Sequence, residues 1–242
     1  MSEELQIYVV FHEKIFDECY EDIPQDILDK YFTFIAVNEK IDKIYTKYKY
    51  KVVNEWELPK YIDQFQLKGY KENSAIFHVM FNDMHKKYNY IGFCQYDMKF
   101  TMSAINTIIN NIKSESVCLY LEAGNYQYCA KETWNEPPVM AYLISHYNFF
   151  YNKRFTFSTS DIYPLFNTYI IPVKTYEKIM PWVSYQYNRI ASIVMQEHFG
   201  HLAGLYERIM AFAIGEEKLS MIKLDVKHDH MYKNSLSHTQ TL

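Results

Sequence analysis

The 242-residue chain has only 6 Gly and 7 Pro, too few for a collagen-like or linker-like polypeptide. Its four cysteines, Cys19, Cys94, Cys118 and Cys129, show no CxxC pair. That excludes a dense disulfide framework and leads us to expect reduced thiols. Arginine is confined to Arg154, Arg189 and Arg208, and 25 basic against 29 acidic residues leave a net charge of −4. A nucleic-acid binder relying on a basic stripe is therefore not expected. No run of about 18 apolar residues could span a bilayer. The acidic start Met1-Ser2-Glu3-Glu4 does not resemble a signal peptide. These absences predict a soluble, cytoplasmic protein. The GxGxxG, GxxxxGK[ST] and GxSxG patterns are also missing, so neither a Rossmann dinucleotide site, a P-loop nor a hydrolase nucleophile elbow is supported.

What the chain does have is 49% hydrophobic and 18% aromatic residues, among them 24 Tyr, enough to rule out disorder. Leu5–Phe11, Tyr31–Val37, Tyr88–Cys94, Val117–Leu121, Thr168–Val173 and Leu219–Val226 are β-branched and aromatic runs that predict strands. Between them, Pro24–Asp29, Asn73–His85, Met102–Ile112, Pro137–Tyr151, Tyr176–Val194 and Leu205–Ala213 predict helices. Ile105, Ile108, Ile109 and Ile112 form one apolar stripe, and Gly200 with Gly204 are expected to bracket a turn. The charged stretch Lys40–Lys51 predicts a surface excursion. The aromatic clusters Tyr147–Tyr151 and Tyr185–Tyr187 are read as core and helix faces rather than sugar platforms. Alternation of strand and helix predicts an α/β fold with a largely parallel central sheet flanked by helices. The expected organisation is one domain over residues 1–232 and a frayed tail over 233–242.

In such a sheet, ligands bind beyond the carboxyl ends of the strands. Polar residues end several of these runs: His12-Glu13, Asn38-Glu39, Gln95-Tyr96-Asp97 and His228-Asp229-His230. Asp97 is the sharpest candidate, because its carboxylate can hold Mg²⁺ or Mn²⁺ and so help neutralise a diphosphate; the competing reading is a helix cap. Gln95, two residues earlier, would point the same way on an extended chain. His228 and His230 have the period of two that aligns them on a strand, as a pair of metal ligands or as plain surface residues. Glu207, expected in the first turn of its helix, is either a general base for a hydroxyl or a solvated helix-end charge.

Tyr90-Ile91-Gly92-Phe93-Cys94-Gln95-Tyr96-Asp97-Met98-Lys99-Phe100 resembles the central motif, roughly Tyr-Ile-Gly-x-x-His-Tyr-Arg-Arg-Tyr-Phe, of a glycosyltransferase family. That family is seen in bacterial capsular and exopolysaccharide clusters, with similar proteins in large DNA viruses. Ile7–His12 looks like its opening strand, Phe166–Ile171 like its Asn-Met-Phe-Ile strand, and Gly200–Ile209 like its Gly-x-x-Ala-Glu-Arg-Leu helix start. The four stretches fall in order over residues 6–214. Gln95-Tyr96-Asp97 stand where the family has His-Tyr-Arg. The resemblance implies one GT-A-type domain binding a nucleotide sugar and usually a divalent metal.

The expected function is transfer of a sugar from a nucleotide-diphosphate donor to a glycan or glycoprotein hydroxyl. Asp97 would hold Mn²⁺ or Mg²⁺ and the diphosphate, with His228 and His230 as further metal candidates. His12, Asn38 and Gln95 would line the donor site, and Glu207 would take the acceptor proton if configuration inverts. The alternatives are a catalytically inactive GT-A-like protein that binds a glycan or partner, and a metal-dependent hydrolase built on His228, Asp229 and His230.

Overall fold

Leu5–Phe11 lies inside a strand whose successive side chains enter different layers. Tyr8 and Val10 pack in one apolar core, while Ile7, Val9 and Phe11 pack in another. A strand covered on both faces is apolar at nearly every position; the one polar residue of this run, buried Gln6, donates from Nε2 to the Tyr31 carbonyl at 2.9 Å and accepts from Tyr88 Oη at 2.8 Å. The computed structural model of the chain describes residues 3–12, 14–37, 46, 48–67, 72–132, 137–154, 161–194 and 202–228.

Within them the strands are β1 (Glu3–Phe11), β2 (Phe32–Ala36), β3 (Val52–Asn54), β4 (Tyr88–Gln95), β5 (Met98–Lys99), β6 (Val117–Tyr120), β7 (Ala123–Gly124), β8 (Tyr163–Pro164), β9 (Tyr169–Pro172), β10 (Ser220–Lys223) and β11 (Lys227–His228). The helices are α1 (Gln25–Tyr31), α2 (Gln64–Leu67), α3 (Asn73–Phe81), α4 (Met102–Asn111), α5 (Tyr126–Glu132), α6 (Pro137–Phe150), α7 (Val173–Val194) and α8 (Leu202–Glu216). The main sheet has the order β10-β6-β9-β4-β1-β2-β3. Its ladders are parallel except those that β9 makes with β4 and β6. One core joins this sheet to α3, α6, α7 and α8; the other joins it to α1 and α4.

β9 runs against its neighbours because the connection through α5 and α6 returns the chain to the edge where β6 ended instead of crossing to the other. It arrives from β8, which pairs antiparallel with β7 just beyond the end of β6. The Leu165 amide donates to the Glu122 carbonyl at 2.8 Å and ties this arm together. The segment leading into β9 is thereby laid over the edge where the parallel strands end.

The expected α/β architecture with a largely parallel sheet is present, and most expected elements fall within a few residues of their places. Several boundaries differ for identifiable reasons. α3 stops at Phe81 rather than reaching His85, and two residues on, Asp83 has a left-handed backbone (φ 57°). α7 starts at Val173, directly after β9. Gly204 lies inside α8, not in a turn, because the helix begins at Leu202. The expected last strand divides into β10 and β11, the latter pairing with β5. Short β3, at the sheet edge, carries too brief a pattern to be seen in the sequence. Gly200, most of the Lys40–Lys51 stretch and the 233–242 tail lie outside the described residues.

Two glycines are expected to respond oppositely to alanine. At exposed Gly204 an added Cβ meets nothing within 4 Å, so Gly204→Ala should stabilise the fold by about 0.5–1 kcal/mol through helix propensity. At Gly92, in β4, the same atom would lie 2.7 Å from Ile170 Cγ1 and 3.3 Å from Ile7 Cγ1. Gly92→Ala should therefore destabilise by about 1–3 kcal/mol through overpacking. Urea unfolding of both variants checks the pair; the same sign of change at both sites would contradict this account of the packing.

Candidate functional site

β4 ends at Gln95, and Tyr96 with Asp97 turns the chain into β5. β5 pairs with β11 so that His228 lies opposite Met98. This ladder brings His228 Nε2 within 3.3 Å of Asp97 Oδ2, with both side chains buried. Two residues 131 positions apart thus form an acid–imidazole pair at the carboxyl edge of the sheet. Thr101, not Asp97, caps α4: its Oγ1 accepts from the Ala104 amide at 3.2 Å. Because the extended chain ends at Gln95, the period-two alignment expected for Gln95 and Asp97 does not apply.

Tyr169 opens β9 opposite both Phe93 of β4 and Tyr120 of β6. Phe166 and Asn167, just before it, therefore lie over the edge near Asp97. The Phe166 ring is 5.2 Å from the His228 ring. Its amide donates to Glu207 Oε1 at 2.7 Å, and the same carboxylate pairs with Arg208. Glu207 lies in the second turn of α8, not the first, and is buried rather than solvated (8% exposed).

Burial is the main influence on Glu207 and raises its proton affinity above the ordinary carboxyl value of 4.5. The charges of Arg208 and His228 and the Phe166 amide oppose that rise without cancelling it. The structure thus joins three of the sequence candidates, Asp97, His228 and Glu207, through Phe166.

His12 follows the end of β1 and meets the Tyr96 ring edge-on at 5.0 Å, while Phe16 stacks on Tyr96 at 5.5 Å. Val10 is in register with Gln95, so His12, Gln95 and Tyr96 share one stretch of the edge, next to Asp97. Asn38, Asp229 and His230 lie outside the described residues. Among the described residues, no group of three or more His, Cys, Asp or Glu side chains is gathered as a metal cluster. The four cysteines are free and buried; burial pushes the Cys129 thiol up to about 11 and those of Cys94 and Cys118 higher still. Such thiols are poor nucleophiles. No described helix is long and apolar enough to cross a membrane.

Sequence reasoning gave no role at the site to Asn167, Arg208 or Asn73; Asn73 suggested only a helix cap, and it is the buried first residue of α3, its Oδ1 accepting from the Asn167 side chain at 3.0 Å. The Asn73–Asn167 contact spans 94 positions, which no local pattern records, while Arg208 pairs with its neighbour Glu207.

A carboxyl whose folded-state proton affinity exceeds its unfolded one holds an extra proton in the folded protein. That stabilisation is complete below about pH 4.5 and is lost as pH rises through the folded value. Glu207→Gln stays neutral throughout, so its stability relative to the native chain should rise as pH climbs from 4.5 through the folded value of Glu207. Parallel stability–pH curves for the two proteins would contradict the raised proton affinity.

No protein-family model and no curated protein matches the chain. Among solved structures, it is similar to the apo structure of the bifunctional glycosyltransferase WbbM, with a TM-score of 0.55 at 11% sequence identity. The match covers 92% of this chain and 45% of that one, so the chain spans less than half the length of that protein. At this identity the likeness is one of fold: an α/β domain with a largely parallel central sheet, of the type found in a glycosyltransferase.

Proposed function

We propose that the chain transfers a sugar from a nucleotide-diphosphate donor to a hydroxyl of a glycan or glycoprotein acceptor. The observation that carries this reading is the convergence of the Asp97–His228 pair and Glu207 around Phe166, at the edge of the sheet where ligands of such folds bind. The fold likeness to WbbM supports the reaction class.

Asp97 and His228 would hold the divalent cation. Two donors on one cation with bonds of about 2.1 Å stand about 3.0–3.4 Å apart, and the observed 3.3 Å separation fits. When bound, Mn²⁺ or Mg²⁺ supplies positive charge against the diphosphate. His12, with Tyr96 beside it, borders the nucleoside end of the donor, and Gln95 is assigned to the same side.

In an inverting transfer the acceptor oxygen bonds to the anomeric carbon while the bond from that carbon to the diphosphate oxygen breaks. The acceptor proton passes to the Glu207 carboxylate, and the nucleoside diphosphate leaves with the bonding electrons. Raised proton affinity suits Glu207 to that role. In a retaining transfer no such base is needed, and Glu207 positions the Phe166 turn. A second reading, a glycan- or partner-binding protein without turnover, is favoured by the commitment of Glu207 Oε1 to Phe166 and Arg208.

Calorimetric titration with nucleoside diphosphates is expected to show binding that Mn²⁺ strengthens about tenfold or more. Asp97→Asn should remove that enhancement and lower transfer by about 100-fold while leaving the fold intact. No binding in either condition would reject the reading. Binding without turnover on any donor would favour the second.

A further inference from the structure

Phe166 and Asn167 are consecutive non-glycine residues with left-handed backbones, φ 59° and 49°. A bulky residue such as Phe is rarely found there, and strain of this kind persists only where the surroundings hold it. The Glu207 carboxylate grips the turn from α8 through the Phe166 amide. From α3, Asn73 Oδ1 accepts from Asn167 Nδ2 at 3.0 Å, and Tyr187 Oη of α7 donates to the same oxygen at 3.0 Å. Within the turn, Thr168 Oγ1 donates to the Phe166 carbonyl at 3.0 Å. Asn73, Asn167 and Tyr187 are all buried. On its other side, the Phe166 ring packs 5.2 Å from His228, which in turn pairs with Asp97.

We infer that Asn73 is a positioning residue: by anchoring Asn167 it holds the strained turn in the one conformation that presents the Phe166 amide to Glu207 and the Phe166 ring to His228. It acts through the turn and touches neither Glu207 nor Asp97 in any contact described above. The inference concerns the site of the proposed glycosyl transfer and rests on that reading for its catalytic consequence, but not for its structural one. A 22-residue helix, a nine-residue helix and the turn before β9 meet on a single amide oxygen, Asn73 Oδ1, which accepts two buried hydrogen bonds. Buried hydrogen bonds that share one acceptor in this way restrict the local geometry.

The test uses the full chain carrying Asn73→Ala, alone and combined with Asn167→Gly. Glycine adopts a left-handed backbone without strain and so needs less anchoring. In Asn73→Ala, hydrogen exchange of the Phe166 amide should accelerate about tenfold or more. The kcat for transfer should fall about 10- to 100-fold with little change in donor KM, as expected when reacting groups are misplaced rather than lost. Adding Asn167→Gly should return kcat to within about threefold of native, while the melting temperature stays lowered because the Tyr187 contact is still missing. Unchanged Phe166 exchange in Asn73→Ala, or a double variant whose kcat remains as low as that of Asn73→Ala, overturns the inference. If the native chain turns over no donor, the functional reading fails, and the amide-exchange comparison still decides whether Asn73 positions the turn.

Discussion

One hydrogen bond, from the Phe166 amide to the Glu207 carboxylate, joins the helical layer to the edge of the sheet where the candidate site lies. Its acceptor is a carboxylate, which makes it stronger than a bond between neutral groups. Its surroundings are buried, so losing either partner would leave a polar group without water to replace it. Because the donor belongs to a residue with φ 59°, the bond also selects a backbone conformation that the chain does not favour by itself. The turn thereby links Glu207 to the Asp97–His228 pair that the β5–β11 ladder brings together.

The antiparallel strand makes this arrangement possible. Had the connection through α5 and α6 crossed to the opposite edge, β9 would run with its neighbours, and its leading turn would lie at that edge. Entering from the β7–β8 arm, it delivers Phe166 and Asn167 to the carboxyl ends of β4 and β6. α8 then passes close enough for Glu207 to reach the turn, and the short β5–β11 ladder returns the end of the described chain to Asp97. The result is two acid–base pairs, Asp97 with His228 and Glu207 with Arg208, the first against the Phe166 ring and the second at the Phe166 amide. Buried pairs like these are weak evidence for stability. Their position at the carboxyl edge of the sheet, together with the raised proton affinity of Glu207, is what the proposed transfer would draw on.

Much of the scaffold was legible in the sequence because its signals are strong and local. Apolar runs as long as Leu5–Phe11 and Tyr88–Cys94 have few conformations open to them other than buried strands. The isoleucine stripe of α4 shows its period directly, and Ile105 and Ile108 are buried as that period requires. Asp97, His228 and Glu207 were visible as polar residues at the ends of such elements. Signals that were weak or misleading failed in equally physical ways. Gly204 suggests a bend, yet α8 runs through it, because one glycine near a helix start costs less than the apolar packing of the helix returns. Glu207 gave no local sign of burial, since its screening comes from segments distant in the chain.

By itself, the sequence determined the α/β alternation, the doubly covered central strand and the set of polar residues that end the strands, because local propensity and side-chain periodicity act over a few neighbours. Only the tertiary structure decided which of those residues meet. The direction of β9, the return of β11 to β5 and the left-handed turn at Phe166–Asn167 depend on contacts between segments up to 131 positions apart. No local pattern records such contacts, because the energy that holds them is released only when the layers close on one another.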